Sequence, residues 1–353
     1  MKIIKYIVLL GLLSGCSLGD STESQKNVTA SGSEIEILAK NLDIPWTIAK
    51  QDESFYLTQR SGKIIEIDSD NKITQEVAVT KKVQHEGEGG LLGFILAPDF
   101  KTTKQAYAYH TYKENNLLKN RVVLLEKQNQ TWVEKKVILE DIPGGVIHNG
   151  GRLKIGPDNM LYATTGDSGN TSLSQDKNSL AGKILRMTLD GGIPEDNPFS
   201  SSYVYSYGHR NPQGLVWDEK GTLYSTEHGQ SAHDEINLIK PGSNYGWPVI
   251  QGDEKAQNME SPLYHTGEDT WAPSGIDFSN GKLYIATLRG EKIQSFDLTT
   301  KDVDVLHSNS GRMRDILIKD DILYSITSNR DGRGSPSSDD DLLIKLTELN
   351  QEM

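Results

Sequence analysis

A histidine and an aspartate frame one glycine-rich stretch of the chain, GGVIHNGGRLKIGPDNMLYATTGDSGN, residues 144–170. His148 sits among glycines, and Asp167 follows 19 residues later, after the apolar run Met160 to Thr165. A hairpin-like return of that length could bring the carboxylate beside the imidazole. Such a pair fixes the tautomer and prepares the ring as a general base. A loop histidine and a turn aspartate that never meet would give the same string. Glycine alone explains backbone in the left-handed region, but not an imidazole placed between two glycine pairs.

Two further clusters carry chemistry. In YGHRNPQG, residues 207–214, Arg210 and Asn211 offer a planar guanidinium and an amide, which suit a carboxylate or quinone oxygen. Arg312 and Arg314 alternate around Met313, so a strand would turn both to one side, and Arg289 in ATLRGEK adds a further cation. Several loop arginines in an acidic protein suggest an anionic ligand, with solvated surface charge as the plain alternative. In TEHGQSAHDEINLIKPGSNYGWP, residues 226–248, Glu227, Asp234, Glu235 and turn carbonyls near Gly229 and Tyr245 are oxygen donors of the kind Ca²⁺ prefers. His228 and His233 make zinc conceivable, without the spacing of a tetrahedral motif, and a solvated charged loop fits the same residues.

The elements that must position these groups announce themselves by repetition. An apolar–aromatic pair opening a strand-like run recurs six times: FYLTQR at Phe55, AYAYHT at Ala106, LYATTG at Leu161, LYSTEH at Leu223, LYIATL at Leu283 and LYSITS at Leu323. A second alternating run follows each, from Lys63, Arg121, Lys183, Glu235, Lys292 and Leu342, with turn signals such as Ser61-Gly62 and Asn280-Gly281 between. The spacing of about 50 to 55 residues is that of a four-stranded propeller blade. The expectation is an all-β, six-bladed β-propeller with its site on loops at one end of a central channel. A β-sandwich pair would not give one signature at near-regular spacing.

Bulk composition narrows the partners. Of 353 residues, 49 are acidic and 37 basic, giving a net charge of −12, which argues against nucleic acid. Lys2 and Lys5 precede an apolar stretch from Tyr6 to Leu13 that is too short for a stable span, and LLSGC resembles a bacterial lipobox with Cys16 as the lipidated residue. An ordinary export signal with an incidental cysteine is the alternative. Cys16 is the single cysteine, so no intramolecular disulfide can form. Residues 1–16 are therefore expected to be a lipoprotein signal peptide, 17–32 a flexible polar linker and 33–353 the propeller, held on the extracytoplasmic face of the cell membrane through Cys16.

GEGGLLGFILAPDF (87–100), HNGGRLKIGPDNMLYATTGD, SLAGKILRMTLDGGIPEDNPF (179–199), YGHRNPQGLVWD and EHGQSAHDEINLIKPGSNYGWP together resemble, in order, the soluble PQQ-dependent glucose and aldose sugar dehydrogenases. The resemblance runs from about Asn41 to Leu346 and implies a six-bladed propeller binding pyrroloquinoline quinone (PQQ) over the channel with Ca²⁺ against it. It implies that His148 takes the proton of the anomeric hydroxyl, oriented by Asp167, and that Glu88, Arg210, Asn211, Arg289, Arg312 and Arg314 lie toward the cofactor. The carbonyls of Gly229 and Gln230 would hold the cofactor's calcium, and Glu235 with the carbonyl of Tyr245 a structural one. An aldose and an electron acceptor would be the partners. Glu88 stands where the family has glutamine, Gln230 where proline is usual and Arg289 where lysine is usual. The stretch from Pro248 to Met259 lacks the family's cofactor-contacting tyrosine. A calcium-dependent lactonase or esterase, or a non-catalytic propeller binding glycan or protein, would use the same fold differently.

Overall fold

The computed structural model describes residues 27–28, 34–69 and 71–346. The expected signal peptide, Cys16 and nearly all of the linker lie outside them. Within them the protein is all-β; the helical pieces among the described residues are the single turns Phe100–Thr103 and Thr171–Ser174.

Each repeated signature forms the second strand of an antiparallel unit, and the run after it forms the third. In one sheet Leu153–Ile155, Leu161–Thr165, Lys183–Met187 and Val204–Tyr207 pair in order; in the next, Pro212–Trp217, Leu223–Glu227, Glu235–Ile239 and Tyr264–His265 do so; then Pro273–Ser279, Lys282–Thr287, Lys292–Asp297 and Val303–Ser308. An eight-stranded sheet contains two such antiparallel quartets, from Pro45–Gln51 outward and from Leu91–Leu96 outward. They join through parallel pairing of Lys72–Ala78 with Thr131–Pro143. The remaining sheet carries Met313–Lys319, Ile322–Thr327 and Leu343–Leu346, with Glu34–Ala39 supplying the next strand in the register Ile35 to Leu346 and Ile37 to Ile344. The two ends of the described chain thus close one sheet.

The leading strands, Pro45–Gln51, Leu91–Leu96, Leu153–Ile155, Pro212–Trp217, Pro273–Ser279 and Met313–Lys319, touch one another in that order, and the last touches the first. The strands that line the centre are thus these leaders, not the ones bearing the repeated Leu-Tyr. The Leu-Tyr strands lie one step out, where both faces of the sheet are covered: Leu161–Thr165 and Leu223–Glu227 are buried at every position. Near-continuous apolar and threonine content, rather than clean alternation, is what such doubly covered strands need.

The core is divided among the interfaces between units. Val216, Tyr224 and Ile236 pack with Ile276, Leu283, Ile285 and Phe296 of the next unit, and Tyr162 and Ile184 pack with Leu215, Leu223 and Ile239. Burying each such side chain contributes about 1.5–3 kcal/mol. Tight two-residue turns set the register: Asn280 (φ 49°) and Gly281 (φ 76°) join the paired residues Ser279 and Lys282 with both central residues left-handed, the hairpin geometry that matches strand twist.

Candidate active site

The loop from Gly144 to Gly151 enters from Thr131–Pro143 and leaves into the leading strand Leu153–Ile155. Asn149 holds its shape: Oδ1 accepts from Gly145 N (3.1 Å) and Asn120 Nδ2 (3.0 Å), and Nδ2 donates to Gly145 O (2.8 Å). His148 is left-handed at φ 55°, a conformation that costs a non-glycine residue and must be held by its surroundings. Three contacts hold it there. Its N–H donates to Glu88 Oε2 (2.9 Å), its carbonyl accepts from Ser168 N (3.1 Å), and Gly150 N donates to Asn211 Oδ1 (3.1 Å). Backbone crowds here: a Cβ at Gly166 would lie 2.0 Å from the His148 carbonyl oxygen, so position 166 has room for hydrogen only.

This framing brings the histidine and aspartate together. His148 Nδ1 lies 2.7 Å from Asp167 Oδ1, which also accepts from Gly169 N (2.8 Å), while Oδ2 accepts from the Trp247 indole Nε1 (2.9 Å). Asp167 is fully buried. Burial alone would push its carboxyl pKa up, but the hydrogen bond and charge of His148, with Gly169 and Trp247, hold it below the ordinary range. An ionised Asp167 only accepts, so Nδ1 carries the proton and the Nε2 lone pair is the free one.

Arg210 stacks above the same indole, its guanidinium 5.3 Å from the Trp247 ring centroid, with Nη1 donating to His228 O (3.2 Å). Its Nε is buried without a partner, and desolvation lowers its pKa against the pull of Asp167 and Glu227. Glu227, buried beneath, accepts from the backbone N–H groups of Arg210 and Asn211 and pairs with His209 Nδ1 (2.9 Å). The Arg-Asn pair is therefore aimed by a carboxylate that the sequence suggested only as an oxygen donor. Asn211 is itself buried, and its carbonyl oxygen is used in holding Gly150.

A cavity of about 250 Å³ gathers the other candidates: Glu88, His148, Arg210, Gly229, Gln230, Arg289 and Arg312 all line it, with Arg333. Arg312 is fastened by Asp331 Oδ2 to its Nη2 (2.9 Å) and Nε (3.2 Å). Arg314 lies deeper, in an adjoining chamber of about 40 Å³ shared with Arg60, Glu88, His228, Asp331 and Arg333. Its Nη1 donates to Gln213 Oε1 (2.8 Å), its Nε has no partner, and burial brings its pKa down to about 9, with Asp331 opposing. Burial likewise drives the His228 imidazole down to about 4, and its Nε2 is unpartnered.

The oxygen-rich segment divides. Asp234 is saturated by Gly229 N (2.9 Å), Thr270 Oγ1 (3.0 Å), Trp271 N (2.6 Å) and Ala272 N (2.7 Å), so it clamps two loops together rather than standing open to a metal. Glu235 is half-buried beside Glu227; desolvation first, then that neighbouring carboxylate, push its pKa up to about 8, with Asn237 Nδ2 (3.0 Å) opposing. The Tyr245 ring stacks on His209 at 4.7 Å and its hydroxyl is held by Leu238 O and Lys240 N, so the phenol points into packing. Among the described residues no three His, Cys, Asp or Glu side chains form a metal-holding group.

Five contributors escaped the sequence reading: Trp247 as a donor to Asp167, Glu227 as organiser of Arg210, and Arg60, Asp331 and Arg333 around the deeper chamber. The alternating Arg312 and Arg314, read from the sequence as facing an anionic ligand, need a counter-charge once buried, and that is the one sequence feature that could have pointed to Asp331.

Comparison with known proteins bears on this geometry. A family model described as glucose/sorbosone dehydrogenase matches residues 42–344. Quinoprotein glucose dehydrogenase B of Acinetobacter calcoaceticus is 34% identical over 251 residues, 62% of this chain and 52% of that protein, so the match spans about half of that relative. The aldose sugar dehydrogenase YliI of Escherichia coli is 27% identical over 84% of this chain and 91% of its own. The solved PQQ-bound aldose sugar dehydrogenase of Streptomyces coelicolor superposes with a TM-score of 0.83 at 38% identity, covering 90% of this chain and 99% of that one.

Proposed function

The chain belongs to the glucose/sorbosone dehydrogenase family, and from that premise we propose that it is a PQQ-dependent aldose sugar dehydrogenase that oxidises the anomeric hydroxyl to the lactone. The observation that carries this reading is the 2.7 Å His148–Asp167 pair at a cavity into which Arg210, Arg289 and Arg312 also converge. We read the closed circuit of six leading strands as a six-bladed propeller with this cavity at one mouth of its channel.

The residues present fit an anionic, acceptor-rich cofactor. Arg210 Nε, Arg314 Nε and His228 Nε2 are buried donors or potential donors without partners, the state expected where a ligand supplies the missing acceptors. Arg210, Arg289, Arg312 and Arg314 would hold the carboxylates, while Asn211 fixes the backbone beside them. When bound, the quinone would accept the hydride of C1 and pass two electrons on to an acceptor. His148 Nε2 takes the hydroxyl proton, and Asp167 holds the ring with that nitrogen free and stabilises the charge it gains. Trp247 fixes Asp167 from behind, and its ring packs under Arg210, whose carbonyl accepts from Asp167 N (2.8 Å).

Calcium is part of the proposal. Gly229 and Gln230 line the same cavity, so their carbonyls would face a cofactor-bound ion. Glu235 fits a second ion on its donor chemistry, because this half-buried carboxylate stands beside Glu227 with its pKa raised; the carbonyl of Tyr245 would complete that site. Gln230 in place of proline leaves a carbonyl ligand unchanged.

The test is reconstitution of the purified protein with PQQ and Ca²⁺, followed by turnover of aldoses with an artificial electron acceptor. Absence of PQQ binding by titration calorimetry overturns the reading. Loss of turnover with retained binding in His148→Ala supports the base assignment. Anchoring through Cys16 on the extracytoplasmic face is likewise proposed. Cys16→Ala should move the protein from the membrane to the soluble fraction, and an unchanged distribution rejects it.

A further inference from the structure

Glu88 places a carboxylate beside a pocket proposed for an anion, and the structure shows what offsets it. One oxygen, Oε2, accepts the His148 N–H (2.9 Å); the other, Oε1, meets Arg333 Nη2 (2.8 Å). The two oxygens thus face a catalytic backbone on one side and a counter-charge on the other. Arg333 comes from the far end of the chain, on the segment after Ile322–Thr327. Asp331 Oδ1 accepts its N–H (2.9 Å), and Asp331 Oδ2 grips Arg312. The segment bearing the counter-charge is therefore fastened to one of the cavity's own arginines.

We infer that Glu88 and Arg333 form a positioning pair for His148, in which the carboxylate anchors the base's left-handed backbone and Arg333 cancels the charge that would otherwise repel an anionic cofactor. A neutral glutamine could do the first without needing the second; a glutamate needs both. The inference rests on the dehydrogenase reading for its cofactor half only. The cations facing Glu88 are Arg333, Arg60 and Arg210, and the buried His228 ring beside them is neutral above about pH 4. Burial pushes the carboxyl up, yet the His148 N–H and Arg333 bring it down to about 2, so it stays ionised. Arg333 is 58% exposed on its side chain, against 22% for Glu88, so the arginine can be removed without opening a core cavity.

The test uses Glu88→Gln, Glu88→Ala, Arg333→Ala and the double variant Glu88→Gln/Arg333→Ala. In the cofactor-free protein, with all variants compared at one fixed pH, Arg333→Ala should displace the His148 amide proton resonance from its wild-type position. In Glu88→Gln it should stay near its wild-type position and in Glu88→Ala move away. An amide resonance identical to wild type in all four overturns the positioning role. In PQQ titration, Arg333→Ala should weaken binding about tenfold or more, and the double variant should return to within about threefold of wild type, the signature of coupled neighbours. Equal weakening by Arg333→Ala in both backgrounds overturns the counter-charge role. A wild type that binds no PQQ overturns the dehydrogenase reading and this half together, while the amide resonance still decides the other half.

Discussion

Replacing Asp167 by asparagine tests the centre of the proposed mechanism, because the carboxylate meets three donors and the amide can meet only some of them. Oδ1 serves His148 Nδ1 and Gly169 N, and Oδ2 serves Trp247 Nε1. Placing the amide oxygen at Oδ1 keeps two of these bonds and turns the NH₂ against the indole N–H. The opposite placement keeps one and confronts the Gly169 N–H and the imidazole with a donor. The first loses fewer bonds, so the histidine tautomer should survive and the loss should be one of charge. Two unit charges about 4–5 Å apart at an effective dielectric of about 20 interact by about 3–4 kcal/mol. That is roughly 10²–10³ in the rate of a step that leaves His148 protonated. A flipped tautomer would cost more, about 10⁴ in the analogous serine-protease substitution. The assay is kcat of PQQ-loaded Asp167→Asn with saturating aldose and acceptor, alongside PQQ affinity and melting temperature. A fall of two to three decades with affinity kept is expected; kcat within about threefold of wild type refutes the reasoning, since even ordinary general-base assistance is worth about 10²–10⁴.

Trp247→Phe keeps an aromatic ring for Arg210 but removes the donor to buried Asp167, and should lower the unfolding free energy in denaturant by about 1.5–3 kcal/mol, the range for a bond to a charged group. Gly166→Ala forces a Cβ toward the His148 carbonyl oxygen, 2.0 Å away, and should lower both melting temperature and turnover, whereas Gly281→Ala, with open space around it, should spare turnover. Chelation with EGTA should lower the melting temperature at neutral pH and added Ca²⁺ restore it, an effect that Glu235→Gln should diminish. Acid should destabilise the protein through Glu88. Its folded pKa of about 2 lies below the ordinary 4.5, so its stabilisation is complete above 4.5 and is lost as pH falls toward 2; Glu88→Gln should flatten that part of the stability profile.

The parts of the fold legible in the sequence are those that depend on local pattern. The Leu-Tyr signature marks strands whose two faces are both covered, so the same apolar and threonine residues recur wherever one unit stacks on the next. The leading strands are less legible because they line a polar centre. Pro212–Trp217 opens with Pro-Gln-Gly, and Leu153–Ile155 is three residues long; neither alternates long enough to register as a strand. The pairing of Glu34–Ala39 with Leu343–Leu346 spans nearly the whole chain, and no local window contains it.

The site divides along the same line. His148 and Asp167 stand on either side of one short hairpin, Leu153–Ile155 with Leu161–Thr165, whose register returns the chain to its start, so 19 residues of sequence become 2.7 Å. Trp247 is 80 residues beyond Asp167, and Arg333 still farther from Glu88; each arrives from a different unit of the ring. Their roles depend on which loops share one mouth, which is a property of closure rather than of any strand. Charge sharpens the point. Glu88 read alone is a mismatch for an anionic ligand, and Arg333 read alone is one more exposed cation. Only across the closed ring do they cancel, with one carboxylate oxygen on the Arg333 guanidinium and the other left to hold the backbone of the proposed base.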